Sequence, residues 1–354
     1  MTDDPRRYPS SAPDAARMAQ AVEQLVRLCA ADSTSGREAA AVDVAALIAG
    51  ELGLPVERLP AAPQRDNLLV GASDPDVVLC THLDTVPPFI APRVDGNIVW
   101  GRGTCDAKGV AIAMLHGLAT ARDLGVSIAR AAVLLVVGEE TDHVGAQAAV
   151  ELARSGRRFA PRHIVLGEPC GMRPAVGQKG LLKLRLAARG TAGHSAYPEL
   201  GASAIHHLVD ALARLRQAEL PSDPLLGATT LNIGQLSGGL APNVIAPSAE
   251  ATIVIRCAAP AAAVLEATRA LVGADIAVTE LGRAEPIDFE TLGEEAGPAV
   301  PFNTDAHHLA PLGARLSLMG PGDMRCAHGA NEHLAVADLA EGIARFAETL
   351  IRSA

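Results

Sequence analysis

The sequence has few aromatic residues, an excess of acidic over basic residues, and no long apolar run. Aromatic side chains make up 2% of the 354 residues, which disfavours a surface that stacks on bases or sugars. Lys and Arg number 30 against 40 Asp and Glu, a net charge of -10, and no basic cluster is long enough to neutralise a nucleic acid backbone. The longest strongly apolar run, 131–137, is far too short to cross a bilayer. We therefore expect neither nucleic acid nor a membrane as a partner.

The cysteine spacing and the first twenty residues bear on the expected compartment. The six cysteines include no Cys-x-x-Cys pair, which indicates reduced thiols and disfavours a disulfide framework or a structural zinc site. The stretch 1–20 has no apolar segment of the kind that a secretory signal needs. Both observations predict a cytoplasmic protein.

The order of apolar patterns predicts an α/β domain. Segments 14–31 and 37–52 repeat apolar residues at helical spacing. Four short apolar runs predict strands buried on both faces, namely 67–70, 77–80, 131–137 and 163–166. Helical stretches at 107–124 and 144–155 lie between them, and this alternation is typical of a mostly parallel central sheet flanked by helices.

The pattern changes after Glu168-Pro169. Segments 181–187 and 249–257 alternate like half-exposed strands, and 203–217 and 261–271 have helical periodicity. The chain is about twice the usual length of a domain, so a second domain is expected. We interpret residues 176–285 as a small two-layer α+β domain inserted into a first domain. That first domain comprises residues 1–175 and 286–354. Its last part again has the alternating helix and strand patterns of an α/β domain.

Polar side chains follow the predicted buried strands, where sites form in open α/β sheets. His82 and Asp84 come directly after one strand, and this spacing suits a metal ligand with a carboxylate that orients its ring. Taken alone, an ordinary polar pair at a strand end is the simpler interpretation. Asp106 lies in a glycine-rich turn before a helix, and further carboxylates follow two more strands, at Glu139, Glu140 and Glu168.

These side chains together indicate a metal site. Their carboxylates would repel one another in a buried cluster unless cations compensated the charge. Carboxylates mixed with imidazole suit zinc, manganese or cobalt better than calcium, and several carboxylates with few histidines suit a pair of ions. The segment 101–109 lacks the third glycine of a dinucleotide motif and the Ser or Thr of a P-loop, so a nucleotide site is disfavoured. Paired ions activate water, which predicts a hydrolase.

The ordered motifs resemble those of the dinuclear zinc amidohydrolases that include acetylornithine deacetylase, succinyl-diaminopimelate desuccinylase and glutamate carboxypeptidase. The motifs are His82-x-Asp84, Gly103-Thr-Cys-Asp106-x-Lys-Gly109, Glu139-Glu140, Gly167-Glu168-Pro169 and His328-Gly-Ala-Asn-Glu332. They cover nearly the whole chain after residue 66. The resemblance implies a metal-binding catalytic domain, an inserted dimerisation or lid domain, and a homodimer formed through that insertion.

The resemblance also implies a role for each motif residue. Asp106 would bridge two zinc or cobalt ions, with His82 and Glu168 at one ion and Glu140 and His328 at the other. Glu139 would be the general base. Neighbours on an extended segment point in opposite directions, which would let Glu139 and Glu140 divide the roles of base and ligand. A cis peptide is expected after Asp106, and Asp84 joins the catalytic set as the partner of His82.

Further candidates come from the inserted domain. His194, in Gly190-Thr-Ala-Gly-His194-Ser195, resembles the histidine that reaches the partner subunit's active site and stabilises the oxyanion. Asn243 and Arg256 resemble substrate-binding residues, and an arginine can hold a carboxylate bidentately. Val254 stands where relatives often carry an Asp. The group that this Asp orients in relatives therefore lacks that partner here.

The segment around Gly322 most resembles the acetylornithine deacetylase branch, which releases N-acyl groups from basic amino acids in arginine or lysine biosynthesis. Asp305 and Asp323 would then bind the side-chain ammonium of a small N-acyl amino acid. The alternatives are a succinyl-diaminopimelate desuccinylase, a dipeptidase or carboxypeptidase of the same family, and a metal-dependent binding protein without turnover. The last alternative ranks below the others because neither the base nor a ligand is missing.

Overall fold

A computed structural model of the chain describes residues 11–156, 159–293 and 296–353. Residues 1–10, half of the stretch in which no secretory signal is expected, lie outside these ranges. The helices of the described residues are α1 (Ala15–Ala30), α2 (Ala39–Glu51), α3 (Lys108–Asp123), α4 (Val144–Arg154), α5 (Ala204–Gln217), α6 (Ala261–Val272), α7 (Ala306–Leu309) and α8 (Val336–Ser353). The strands are β1 (Val56–Ala62), β2 (Arg65–Gly71), β3 (Val77–His82), β4 (Arg93–Asp95), β5 (Ile98–Trp100), β6 (Ala131–Val136), β7 (His163–Leu166), β8 (Gly177–Gln178), β9 (Gly180–Arg189), β10 (Thr230–Gly238), β11 (Ser248–Cys257), β12 (Ile276–Ala284), β13 (Ile287–Asp288), β14 (Arg315–Leu318) and β15 (His333–Ala335).

The chain divides into two compact units. Unit 1 comprises the described residues of 1–175, 289–297 and 308–354, and unit 2 comprises 176–288 and 298–307. Residues 298–307 belong to unit 2, whereas the sequence pattern assigns them to the first domain. The reason is local hydrogen bonding, because the backbone N–H of Val300 donates to Gly177 and the Thr304 hydroxyl donates to Gln178.

Unit 1 is built on a six-stranded sheet of order β1-β2-β6-β3-β7-β14. The strands from β6 to β14 run parallel, which confirms the predicted mostly parallel α/β architecture. Strand β2, in contrast, pairs antiparallel with both β1 and β6. It forms a hairpin with β1, where Gln64 adopts a positive φ of 62° in the turn. The half-exposed β1 was not predicted, since it has no continuous apolar run.

The core of unit 1 lies between this sheet and its helices. All residues of β3 and β6 are buried, as the apolar runs predict. Helix α3 is buried along nearly its whole length, which accounts for apolar residues on every side of it. It packs closely against α8, where a Cβ added at Gly117 would stand 2.8 Å from the Phe346 Cβ. Within the described ranges, no helix is long and apolar enough to span a membrane.

Unit 2 contains a four-stranded antiparallel sheet of order β10-β11-β9-β12. The inward-facing residues of β9 and β11 pack with α5 and α6 in a separate core, which contains Leu182, Leu184, Leu186 and Ile253. The outer strands β10 and β12 were not predicted. Both are largely exposed and carry polar or glycine residues, so periodicity alone does not reveal them.

Candidate metal centre

The parallel strands of unit 1 deliver the candidate ligands to one edge of the sheet. His82 is the last residue of β3, and Glu168 follows the end of β7 by two residues. Glu139 and Glu140 follow β6, which lies on the other side of β3. Asp106 lies two residues before the buried α3, and the expected cis peptide at Asp106-Ala107 is present. Parallel strands end at the same edge, so these side chains converge.

The Asp106 carboxylate lies between two imidazoles. Its Oδ1 is 3.1 Å from His82 Nε2, and its Oδ2 is 3.2 Å from His328 Nε2. His328 Nε2 is also 2.9 Å from Glu140 Oε1, and His82 Nε2 is 4.0 Å from Glu168 Oε1. The structure therefore brings all five predicted ligands into one cluster within unit 1.

The donor spacing fits a pair of divalent ions. With bonds of about 2.0–2.2 Å to nitrogen and oxygen, two ligands of one tetrahedral zinc ion lie about 3.4 Å apart. The observed separations of 2.9, 3.1, 3.2 and 4.0 Å bracket that value. One oxygen of Asp106 faces each imidazole, as a carboxylate shared by two ions requires. Borderline nitrogen donors mixed with carboxylates also suit zinc or cobalt.

Hydrogen bonds and neighbouring charges within the cluster raise the pKa values of both imidazoles. Burial lowers the pKa of His82, but hydrogen bonds with Asp106 and Asp84 and the charges of Glu168 and Glu139 raise it well above its usual value. Hydrogen bonds with Asp106 and then Glu140 raise the pKa of His328 to about 10. Burial raises the pKa of Asp106, yet hydrogen bonds with both imidazoles outweigh this and lower it. An imidazole binds a metal ion in its neutral form, so these raised pKa values make cation binding compete with protons.

The contact between His82 and Asp84 differs from the predicted one. His82 Nδ1 lies 3.0 Å from the main-chain oxygen of Asp84 and 3.5 Å from Oδ1 of its carboxylate. The carboxylate instead accepts the backbone N–H groups of residues 138, 139 and 140, at 2.9, 3.0 and 3.1 Å. Asp84 therefore orients the imidazole chiefly through its backbone, while its buried carboxylate shapes the segment that carries Glu139 and Glu140.

Glu139 and Glu140 lie in a turn, so the expectation of an extended segment was wrong. Gly138, with φ of 83°, turns the chain away from the direction of β6. The Asp84 carboxylate accepts hydrogen bonds from the backbone N–H groups of this turn. The two side chains nevertheless have different neighbours. Glu140 contacts His328, whereas a carboxylate oxygen of Glu139 lies within 4.8 Å of a ring nitrogen of His143. The turn, and not the alternation of an extended segment, thus gives the two side chains different neighbours.

Two charged residues at the site were not among the predicted site residues. Arg102 and Glu332 are buried and form an ion pair. Glu332 is part of the motif that begins at His328, but neither spacing nor composition indicates that it is buried. A buried acidic side chain beside a glycine-rich turn is visible only once the backbone is known.

The predicted residues of unit 2 fall into two places. His194 and Asn243 lie on adjacent exposed loops, since His194 forms a β-bridge with Val244 and the N–H of Ser195 donates to the Asn243 carbonyl at 3.1 Å. Arg256 is half-buried near the end of β11, and burial lowers the pKa of its guanidinium. Val254 lies on the same strand, opposite Lys183 of β9.

The residues predicted to bind a substrate ammonium have different surroundings. Asp305 is buried in unit 2. Asp323, in unit 1, pairs through both carboxylate oxygens with the exposed Arg325, so a substrate would have to displace that guanidinium. Gly322 adopts φ of 92°, and an added Cβ would stand 2.8 Å from the Cys105 Sγ. The close approach explains why a glycine is required there.

The fold and this donor set are those of a hydrolase of the metallopeptidase class. The chain belongs to peptidase family M20/M25/M40, whose profile matches residues 78–352. The family predicted from the motifs is thereby confirmed at this level. Assignment to the acetylornithine deacetylase branch stays a prediction.

Two curated relatives support the family assignment. A Peptidase M20 domain-containing protein of Schizosaccharomyces pombe is 32% identical over 322 residues, which cover 88% of this chain and 79% of the relative. A probable carboxypeptidase of Neosartorya fischeri is 38% identical over 306 residues, which cover 76% of this chain and 68% of the relative.

Solved structures share the fold. The aminopeptidase PepT of Bacillus cereus superposes with a TM-score of 0.77 at 20% identity, over 96% of this chain and 99% of that one. A dinuclear metal binding peptidase of the M20 family from Bacillus subtilis gives a TM-score of 0.71 at 15% identity, over 96% and 99% of the two chains. At 15–20% identity, these two similarities establish the fold of the chain alone.

Proposed function

We propose that this protein is a dinuclear metal-dependent hydrolase of small amides in which the leaving amine carries a free carboxylate. The observation that carries the proposal is the Asp106 carboxylate with one imidazole at each oxygen, next to the turn that holds Glu139. Two substrate classes meet this description. One is an N-acyl amino acid such as N-acetylornithine, and the other is a peptide cleaved at its carboxyl end.

The proposed chemistry assigns separate tasks to the residues of the chain. His82, Asp106 and Glu168 would hold one zinc or cobalt ion, and Asp106, Glu140 and His328 the other. When bound, such ions polarise an amide carbonyl and lower the pKa of water. Glu139 would take the proton from the attacking water and deliver it to the leaving amine. Asp84 supports this step because its carboxylate accepts the backbone N–H of Glu139.

Unit 2 would supply the remaining groups. His194 is proposed to stabilise the oxyanion, Asn243 to orient the substrate, and Arg256 to bind its carboxylate. Residues 176–285 would thus serve as the dimerisation and lid domain, and residues 1–175 with 286–354 as the catalytic domain. A cytoplasmic location and a place in arginine or lysine biosynthesis also stay predictions.

A substrate panel tests the proposed function. N-acetylornithine, N-acetylnorvaline, N-succinyl-diaminopimelate and dipeptides should be assayed with added zinc or cobalt, each with a free and an amidated carboxylate. We expect turnover only with free carboxylates. Faster hydrolysis of N-acetylornithine than of N-acetylnorvaline would support ammonium recognition by Asp305 and Asp323, and equal rates would contradict it. Preference for peptides would instead favour a carboxypeptidase, the function suggested by the 38% identical relative. Bound metal without turnover on any substrate would support a binding protein.

The Arg256→Lys variant tests the carboxylate contact. Lysine keeps the charge but lacks the planar fork, so we expect KM for free-carboxylate substrates to rise about 10- to 100-fold with little change in kcat. Steady-state kinetics would measure both constants. Arg185→Lys is the matched control, because Arg185 is an exposed arginine on the adjacent strand β9. An unchanged KM in Arg256→Lys would remove the assignment.

The exposed surface of unit 2 supports the proposed homodimer. Strand β10 is an edge strand, and Leu236 on it is exposed. Leu240 in the following loop is 74% exposed, and Val209 on α5 is exposed as well. Apolar side chains on an unpaired sheet edge are typical of an interaction surface. We therefore propose that a second copy of the chain covers this face.

Light scattering tests the homodimer. The wild-type protein should have twice the mass of one chain, and Leu240→Glu combined with Val209→Glu should give monomers with reduced activity. Exposed apolar residues elsewhere provide the control, such as Leu47 of unit 1 in the variant Leu47→Glu. A monomeric wild-type protein with full activity would contradict both the dimer and the role of His194 across subunits.

A further inference from the structure

A buried ion pair lies behind the candidate metal centre. The side chains of Arg102 and Glu332 are 2% and 0% exposed, and Arg102 Nη1 donates to Glu332 Oε2. The pair lies where β5 and β15 meet, because the N–H of Gly101 donates to the Glu332 carbonyl at 3.0 Å. Neither charged group is among the five candidate metal ligands. The role of the ion pair in the site therefore depends on the other contacts of Arg102 and Glu332.

The second carboxylate oxygen of Glu332 holds the segment that ends at Asp106. Glu332 Oε1 accepts the backbone N–H groups of Gly103, Cys105 and Asp106, at 2.9, 3.3 and 3.1 Å. Hydrogen bonds to a charged acceptor are stronger than those between neutral groups, and burial strengthens them further. One oxygen therefore fixes the backbone immediately before and at the candidate bridging ligand.

The Arg102 guanidinium holds the segment that carries His328. Its Nη2 donates to the His328 carbonyl at 3.3 Å, and its Nη1 lies 3.4 Å from the Gly329 carbonyl. Its Nε donates to the Pro88 carbonyl at 3.3 Å. The His328 side chain is 51% exposed, and its backbone has a positive φ of 63°. The guanidinium therefore supports an exposed ligand from the backbone side.

We propose that Arg102 and Glu332 are positioning residues that hold Asp106 and His328 at the spacing needed by a shared ion. The inference rests on the proposed function, since it assumes that these two residues are ligands. The two segments are more than two hundred positions apart in the chain, and the ion pair joins them beside the main-chain pairing of β5 with β15. Loss of the pair should leave the ligands present but displaced.

Two conservative variants separate charge from geometry. Glu332→Gln keeps an oxygen that can accept the backbone N–H groups but loses the charge, while Arg102→Lys keeps the charge but loses the fork that reaches two carbonyls. We expect each to weaken binding of the ion at His328 by about 10- to 100-fold, the usual effect of losing a partner of a metal ligand. Arg102→Met, which loses both properties, should weaken it more than Arg102→Lys.

Cobalt binding tests the inference without relying on turnover. The wild-type chain and the variants would be titrated with Co2+, followed by calorimetry and by the visible absorption of the bound ion, with the melting temperature measured in parallel. Leu184→Ala is the control, because Leu184 is fully buried in the core of unit 2 and its loss destabilises the protein without touching the centre. We expect weaker binding and a changed cobalt spectrum in Glu332→Gln and Arg102→Lys, and neither change in Leu184→Ala.

The outcomes distinguish the two proposals. Two equivalents of Co2+ in the wild-type chain, with the same affinity and spectrum in both folded variants, would overturn the positioning role alone. A lower melting temperature with unchanged cobalt binding would have the same meaning, because it indicates a purely structural ion pair. Fewer than two equivalents in the wild-type chain would overturn the proposed dinuclear site and the positioning role together.

Discussion

Replacing Glu139 by glutamine is expected to lower kcat by about 100- to 10,000-fold while both metal ions stay bound. Glutamine keeps the size of the side chain, but it cannot take a proton from water. The backbone of residue 139 should keep its place, since its N–H is held by the buried Asp84 carboxylate at 3.0 Å. Steady-state kinetics and metal analysis of the same preparation would measure the two effects separately.

The control for this variant is Glu151→Gln. Glu151 lies on α4, twelve residues further along the chain, and its side chain is exposed. The substitution makes the same change in charge and should leave kcat unaltered. Normal turnover in Glu139→Gln would remove the base assignment, and loss of a metal ion from that variant would show that Glu139 is a ligand.

Replacing Asp106 by asparagine should cost the protein both ions. Each Asp106 oxygen faces one imidazole, so one charge serves both halves of the centre. An amide presents only one oxygen and no charge, and its nitrogen would face one of the two ions. We expect affinity to fall by more than about 100-fold, beyond the effect of losing a supporting partner, with activity lost in parallel. Calorimetric titration with zinc would measure the change.

Asp95→Asn provides the matched control for the Asp106 variant. Asp95 is an exposed carboxylate on β4, and its loss should leave zinc binding unchanged. Retention of two tightly bound ions in Asp106→Asn would contradict a bridging role. Retention of one would indicate that Asp106 serves a single ion.

The buried strands and the polar residues at their ends were predictable because both depend on local sequence, whereas His328 was expected only from the family resemblance. A parallel strand covered on two faces needs a continuous apolar run, and the runs that become β3, β6 and β7 are of this kind. The polar residues that follow such runs have to lie at one edge of the sheet. His82 and Glu168 could therefore be placed together before any distance was known.

Other features depend on backbone contacts between distant segments and could not be predicted. The Asp84 carboxylate binds three N–H groups more than fifty residues away, and Glu332 binds three others across more than two hundred residues. The spacing of apolar residues in the sequence does not indicate such contacts. Edge strands such as β10 are missed for a related reason, since pairing on one side leaves their residues exposed and free to be polar.

Diffraction from crystals soaked in zinc, recorded at the zinc absorption edge, would locate the metal ions. We expect two anomalous peaks about 3.5–4 Å apart, one on each side of the Asp106 carboxylate. One peak should be ligated by His82 and Glu168, and the other by Glu140 and His328. A single peak, or ions bound away from these five side chains, would contradict this expectation.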